Sequence, residues 1–195
     1  MNLPNKLTIT RIVLSPVFMI LFLIDNSYTK ISALIIFFAA ALTDWFDGYL
    51  ARKHGWMTSF GKFMDPLADK ILTSTALICF VALDYVRVWM VLTIVGREFL
   101  VTGLRSLAAY KGWVIMPTYL ARWKTGCQMV VILGILLYYD IRMLLEPMGI
   151  NLQALDSPWA GRVIDLSVFF VMVLTVITGL DYLIKNIALL KGVLR

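Results

Sequence analysis

The sequence predicts an all-α, polytopic membrane protein: six transmembrane helices, with a short amphipathic interfacial helix at the N-terminus. Three observations carry this. The chain is 61% hydrophobic and 15% charged, with a mean hydropathy of +0.84, outside the soluble globular range. Its apolar runs approach the roughly 20 residues a helix needs to cross a bilayer, and 195 residues hold about six of them. Lys and Arg are distributed unevenly between alternate connections. A single domain over residues 1–195 is expected, without a linker, internal repeat or low-complexity segment.

Leu3–Arg11 is short and amphipathic and reads as an interfacial segment running into the first span, Ile12–Ile24, with Pro16 as a kink. The second span covers Ile31–Leu50, the third Ser59–Leu83, the fourth Val88–Ala109, the fifth Thr125–Tyr139 and the sixth Val163–Leu183. Arg11 and Pro16 interrupt the first apolar run and no small-x-small site follows, which argues against a cleaved signal peptide. Cys79 and Cys127 stand alone in apolar stretches without zinc or redox spacing, and read as small buried hydrophobes. The six Trp and eight Tyr suit interfacial belts.

With six spans, one side of the membrane receives Lys6, Arg11, Arg52, Lys53, Lys62, Arg105, Lys111, Arg122, Lys124, Lys185, Lys191 and Arg195. The other receives Lys30, Arg87, Arg142 and Arg162. By the positive-inside rule both termini face the cytoplasm, in the cell membrane. The net charge of +6 then points to a membrane surface and phosphate-bearing substrates. Nucleic acid is not expected as a partner: there is no Lys/Arg run and no nucleic-acid motif.

The most informative stretch is acidic. Asp44-Trp-Phe-Asp47-Gly48-Tyr-Leu-Ala51-Arg52 is followed, after eight residues, by Gly61-Lys-Phe-Met-Asp65-Pro-Leu-Ala-Asp69. Helix positions three or four apart share a face, so Asp44 pairs with Asp47 and Asp65 with Asp69. Carboxylates are costly at membrane depth and mark a metal, a partner or a task. Four of them make a hard-oxygen nest suited to two Mg2+ or Mn2+ ions, able to clamp a phosphoryl group. Gly48 and Gly61 permit close backbone approach, and Arg52 offers a planar fork for phosphate. Pro66 removes an N–H and leaves the Lys62 carbonyl without its helical partner, which a polar cavity tolerates. The motif falls at the cytoplasmic end of spans two and three.

This spacing, D-x2-D-G-x2-A-R-x8-G-x3-D-x3-D, closely resembles the signature of the CDP-alcohol phosphatidyltransferase family, with every fixed position present. The resemblance implies a six-helix membrane fold, a homodimer and a polar cavity open to the cytoplasm. It implies transfer of a phosphatidyl group from CDP-diacylglycerol to an alcohol with release of CMP. It makes Asp44, Asp47 and Asp65 metal ligands, and Asp69 a metal ligand and the base for the acceptor hydroxyl. Gly48, Arg52 and Thr58 match positions that hold the cytidine diphosphate, and Asp44, Asp47, Ala51, Gly61, Asn5 and Thr8 join them as candidate contacts.

Three further blocks resemble the branch of that family that makes phosphatidylglycerophosphate: Pro4-Asn5-Lys-Leu7-Thr8-Ile-Thr-Arg11, Arg97-Glu98-Phe99 with Gly103-Leu104-Arg105, and Arg122-Trp-Lys124-Thr125 with Gln128-Met129. One departure is Ala121-Arg122, where that branch usually carries Gly-Lys. The acceptor implied is sn-glycerol 3-phosphate. Arg97 and Arg105, eight residues apart, and Lys124 at the start of span five suit its phosphate; Arg122 and Arg11 complete the candidate set.

Plainer readings stand beside these. Arg97 can form a structural ion pair with Glu98 or Asp181. Arg122 and Lys124 can be topology signals, Arg11 an interfacial anchor, Asn5 and Thr8 caps. Lys53 and Lys70 read as headgroup-facing and His54 as a solvated loop residue. The acceptor can instead be phosphatidylglycerol, serine or an inositol phosphate. In other functional classes, a divalent-cation transporter or channel also carries intramembrane acids, though here they gather at one end beside arginines. A non-catalytic lipid-binding homologue has no need of Asp69.

Overall fold

The computed structural model describes residues 3–54, 59–110, 119–145 and 158–194; over 3–7, 44–54, 59–66 and 188–194, and at 69 and 158, it describes the backbone path alone. These residues form six helices and no strand: α1 (Leu3–Leu23), α2 (Ser27–His54), α3 (Ser59–Ala82), α4 (Val88–Tyr110), α5 (Tyr119–Leu145) and α6 (Pro158–Leu194). The all-α, six-helix reading agrees. Several helices run past the predicted spans, α5 by a turn or more at each end and α6 well beyond Leu183. The expected bounds followed the apolar runs, whereas backbone hydrogen bonding continues through the polar ends. The N-terminal segment and the first span are one continuous helix that contains Pro16.

Among the described residues, two helices, Tyr119–Leu145 and Trp159–Ile187, are long and apolar enough to cross a membrane; Thr8–Leu23, Ser27–Thr43 and Lys70–Ala82 are shorter apolar helices. Burial is inverted relative to a water-soluble bundle. Leu92, Val130, Leu166 and Ile184 point outward, whereas Arg11, Glu98, Lys124 and Asp140 are buried. Charged residues almost never take the inside of a soluble domain unless paired, and lipid is the solvent that suits the outside.

Helix α1 packs on α2 and α3, α4 on α3 and α6, and α5 on α6, α2 and α3. An aromatic core fills the end of the bundle remote from the acidic motif. Phe18 stacks on Phe22 and meets Phe37, and Phe22 meets Phe80 edge-on at 5.9 Å. Beyond it Tyr85 lies flat on Tyr139. Burial raises the Tyr85 phenol above its ordinary pKa, and the Lys30 ammonium partly offsets this.

Two tight turns fix the helix pairs. Asn26 caps α2, its Oδ1 accepting from the Tyr28 N–H at 2.9 Å. Helix α3 ends in a Schellman motif. The Tyr85 N–H donates to the Phe80 carbonyl at 2.8 Å and the Asp84 N–H to that of Val81 at 3.0 Å. Asp84 takes the left-handed conformation, φ 57°, and the Tyr85 and Phe80 rings make the accompanying apolar contact.

Candidate active site

Asp44 and Asp47 lie on α2, Asp65 and Asp69 on α3, two adjoining helices joined by residues 55–58. Asp47 stands seven residues before the end of α2 and Asp65 six after the start of α3; Asp44 and Asp69 stand ten residues from those same ends. At the helical rise these are levels about 10 Å and about 15 Å from the connection. Counted along their own helices, the four acids stand at matched distances from the connection, one from each helix at each distance. The donor set is entirely carboxylate, which fits hard divalent cations such as Mg2+ or Mn2+. Gly48, Ala51 and Arg52 share α2 with the first acid pair, and Gly61 opens the first turn of α3. Lys53 and His54 are the last residues of α2 rather than part of the connection. Thr58 lies outside the described residues.

Immediately after Asp69 comes Lys70, and here side chains define a second feature. Lys70 Nζ lies 2.7 Å from Glu98 Oε2. Lys124 Nζ pairs with Glu98 Oε1, and Arg97 Nη1 stands 3.9 Å from the same oxygen. Glu98 and Lys124 are almost completely buried. One carboxylate on α4 thus gathers cations from α3, α4 and α5. The headgroup-facing reading of Lys70 is overturned, because its ammonium turns inward to a buried acid. A single lysine near a span end carries no sequence signal for that choice; the nearest was Glu98 at membrane depth, which needs cationic partners.

Arg97 also donates from Nη2 to Thr178 Oγ1 on α6 at 2.9 Å. Its stem crosses α6 at Gly179, with Nε 2.9 Å from where a Cβ would stand. Arg105 reaches the same helix, its guanidinium 5.9 Å from the centre of the Tyr182 ring. Both α4 arginines therefore face α6. Asp181 pairs instead with Lys185 at 2.7 Å. Thr178 and Gly179 were not identified from the sequence, since they lie in an apolar final third without a motif.

The buried stripe of α5 reads Lys124, Gln128, Ile132, Ile135, Leu136 and Asp140. Arg122, two residues from Lys124, falls on the opposite side of the helix. It is exposed, stacks 5.4 Å from the Tyr119 ring centre, and lines an apolar groove of about 860 Å³ between α5 and α6 with Trp123 and Val130. The structure does not bring Arg122 to the Glu98 cluster. Arg11 is buried on α1 beside the equally buried Thr8, so it is not a surface anchor.

Six helices with apolar outer faces and charged residues buried between them define an integral membrane protein. The family model described as CDP-alcohol phosphatidyltransferase matches residues 1–180. The chain is 39% identical over 202 residues, covering 97% of each protein, to a Bacillus subtilis protein named CDP-diacylglycerol–glycerol-3-phosphate 3-phosphatidyltransferase. Proteins of that name from Rickettsia typhi, at 40% identity over 93% of this chain and 94% of theirs, and from Escherichia coli K12, at 36% over 69% and 76%, are also similar. The chain belongs to the CDP-alcohol phosphatidyltransferase family. It is a phosphatidyltransferase of phospholipid biosynthesis, in a family that is generally dependent on divalent metal.

Proposed function

We propose that this protein transfers the phosphatidyl group of CDP-diacylglycerol to sn-glycerol 3-phosphate, giving phosphatidylglycerophosphate and CMP. The observation that carries the reading is the complete acidic motif, at matched distances along two helices, beside a buried group of cations, in a chain whose similar relatives bear that activity in their names.

Asp44, Asp47, Asp65 and Asp69 would hold two divalent ions, Mg2+ or Mn2+, which supply charge neutralisation to the pyrophosphate and to the attacking and leaving oxygens. Arg52 binds a phosphate of the nucleotide through its guanidinium fork, and Gly48 and Gly61 let the nucleotide approach the helix backbones. Ala51, Thr58, Asn5 and Thr8 line the nucleotide side. Arg97, Arg105 and Lys124 receive the acceptor's phosphate, with Arg11 a further candidate, and so aim its hydroxyl. Asp69 takes the hydroxyl proton. The acceptor oxygen bonds to the β-phosphorus as the bond from that phosphorus to the bridging oxygen breaks, and CMP leaves with that oxygen.

The whole chain serves as one catalytic membrane domain, in a homodimer, with both termini and the site on the cytoplasmic side. The Lys/Arg distribution supports that orientation.

The test is CMP release by detergent-purified protein with CDP-diacylglycerol, Mg2+ or Mn2+, and a panel of acceptors. Release with glycerol 3-phosphate alone is expected. Release only with phosphatidylglycerol, serine or an inositol phosphate would replace the acceptor and leave the family chemistry standing.

A further inference from the structure

We propose that Glu98 is a positioning residue for the acceptor phosphate: its buried carboxylate holds Lys70 and Lys124, from two other helices, in place beside the acidic motif. The inference rests on the acceptor reading above and adds two residues to it, Glu98 and Lys70.

The geometry carries the argument. Glu98 binds Lys70 through Oε2 and Lys124 through Oε1, with Arg97 also near Oε1. The two oxygens thus serve different helices, and the carboxylate is a cross-brace rather than the end of one pair. Lysine carries its ammonium on a flexible stem. A buried carboxylate that binds the ammonium removes that freedom. The brace reaches α3 at the residue next to Asp69, so it also sets where the acceptor's phosphate lies relative to the acid that takes the hydroxyl proton. A one-ångström error in such placement costs far more in rate than in stability.

A plain structural ion pair predicts a different outcome. Its loss lowers folding stability and moves both substrates alike. A positioning residue separates them. Glu98→Gln keeps the shape but removes the charge and turns one of the two accepting oxygens into a donor. In the full-length protein, in detergent or reconstituted vesicles, the expected result is a rise in the KM for glycerol 3-phosphate of roughly 10- to 100-fold, the scale on which losing an orienting partner disables a ligand-binding group. The KM for CDP-diacylglycerol stays within about twofold of wild type on the same reasoning. Glu98→Asp, which retains the charge and withdraws it by one methylene, recovers part of the loss. If Glu98→Gln does not fold, Glu98→Asp carries the test alone, with a smaller rise confined to the acceptor. Unchanged acceptor KM in the folded variants, or an equal rise for both substrates, overturns the proposal. Wild-type protein inactive with glycerol 3-phosphate overturns the acceptor reading instead, so the two failures are distinct.

Discussion

Arg97 crosses α6 at Gly179, so close that its Nε lies 2.9 Å from the position of a Cβ on that residue. The absence of a side chain at Gly179 lets the guanidinium reach Thr178 Oγ1. Gly179→Ala must push the arginine stem aside. Because the obstructing atoms are Cγ, Cδ and Nε of a stem anchored at Thr178, stability is expected to fall by about 1–3 kcal/mol, the ordinary cost of overpacking. Activity responds more, through a higher acceptor KM from a displaced Arg97. Steady-state kinetics beside thermal unfolding in detergent separates the two. A variant with normal acceptor KM would show that Arg97 does not act from this position.

Lys124 and Arg122 make a matched pair of opposite expectation. Lys124→Gln removes one buried cation from Glu98 while Lys70 remains on the other oxygen, and is expected to cost about 1–3 kcal/mol, the range for a buried acceptor that loses its partner, along with most of the activity. Arg122→Gln changes an exposed residue on the other side of α5. The acceptor KM should stay within about twofold, as for surface substitutions remote from a site. Equal losses in both variants would place Arg122 back in the site.

The contrast marks where the sequence was legible. The placing of four aspartates, two on each of two neighbouring helices, was legible because helical spacing fixes which positions share a face. The turn at residues 83–87 was likewise visible as a gap between two apolar runs. Which side of a helix faces inward was not visible where charged residues flank a span, as at Arg122 and Lys124. Their side is set by the phase of the α5 stripe that ends in Asp140, and so by packing against other helices. Lys70 was misread for the same reason. Its direction depends on Glu98, twenty-eight residues away in sequence and on another helix. Thr178 and Gly179 gain their roles only when Arg97 arrives from α4.

Asp84 offers a test of the fold apart from the chemistry. It holds the left-handed position that ends α3, with φ 57°, where a β-branched residue is strained. Asp84→Val is expected to destabilise by about 1–2 kcal/mol. Asp84→Gly should be neutral or stabilising, because glycine takes this conformation without steric cost. Thermal unfolding of both variants in one detergent decides it. A Val variant as stable as wild type would mean that the Schellman turn does not limit stability.

The final prediction concerns the acids themselves. Chelation with EDTA is expected to abolish CMP release, and Mg2+ or Mn2+ to restore it, because four carboxylates repel a pyrophosphate unless divalent cations lie between them. Asp69→Asn tests the base. If Asp69 takes the acceptor's proton, the variant should lose about 10²- to 10⁴-fold in kcat, the range for a positioned general base. Its affinity for CDP-diacylglycerol should fall far less than that of Asp44→Asn, which lies in the segment that also holds Gly48 and Arg52. Nucleotide binding measured by isothermal titration with Mg2+ present, beside single-turnover CMP release, resolves the two contributions. If Asp69→Asn loses binding and turnover in equal proportion, Asp69 serves the metal alone, and the proton leaves by another route.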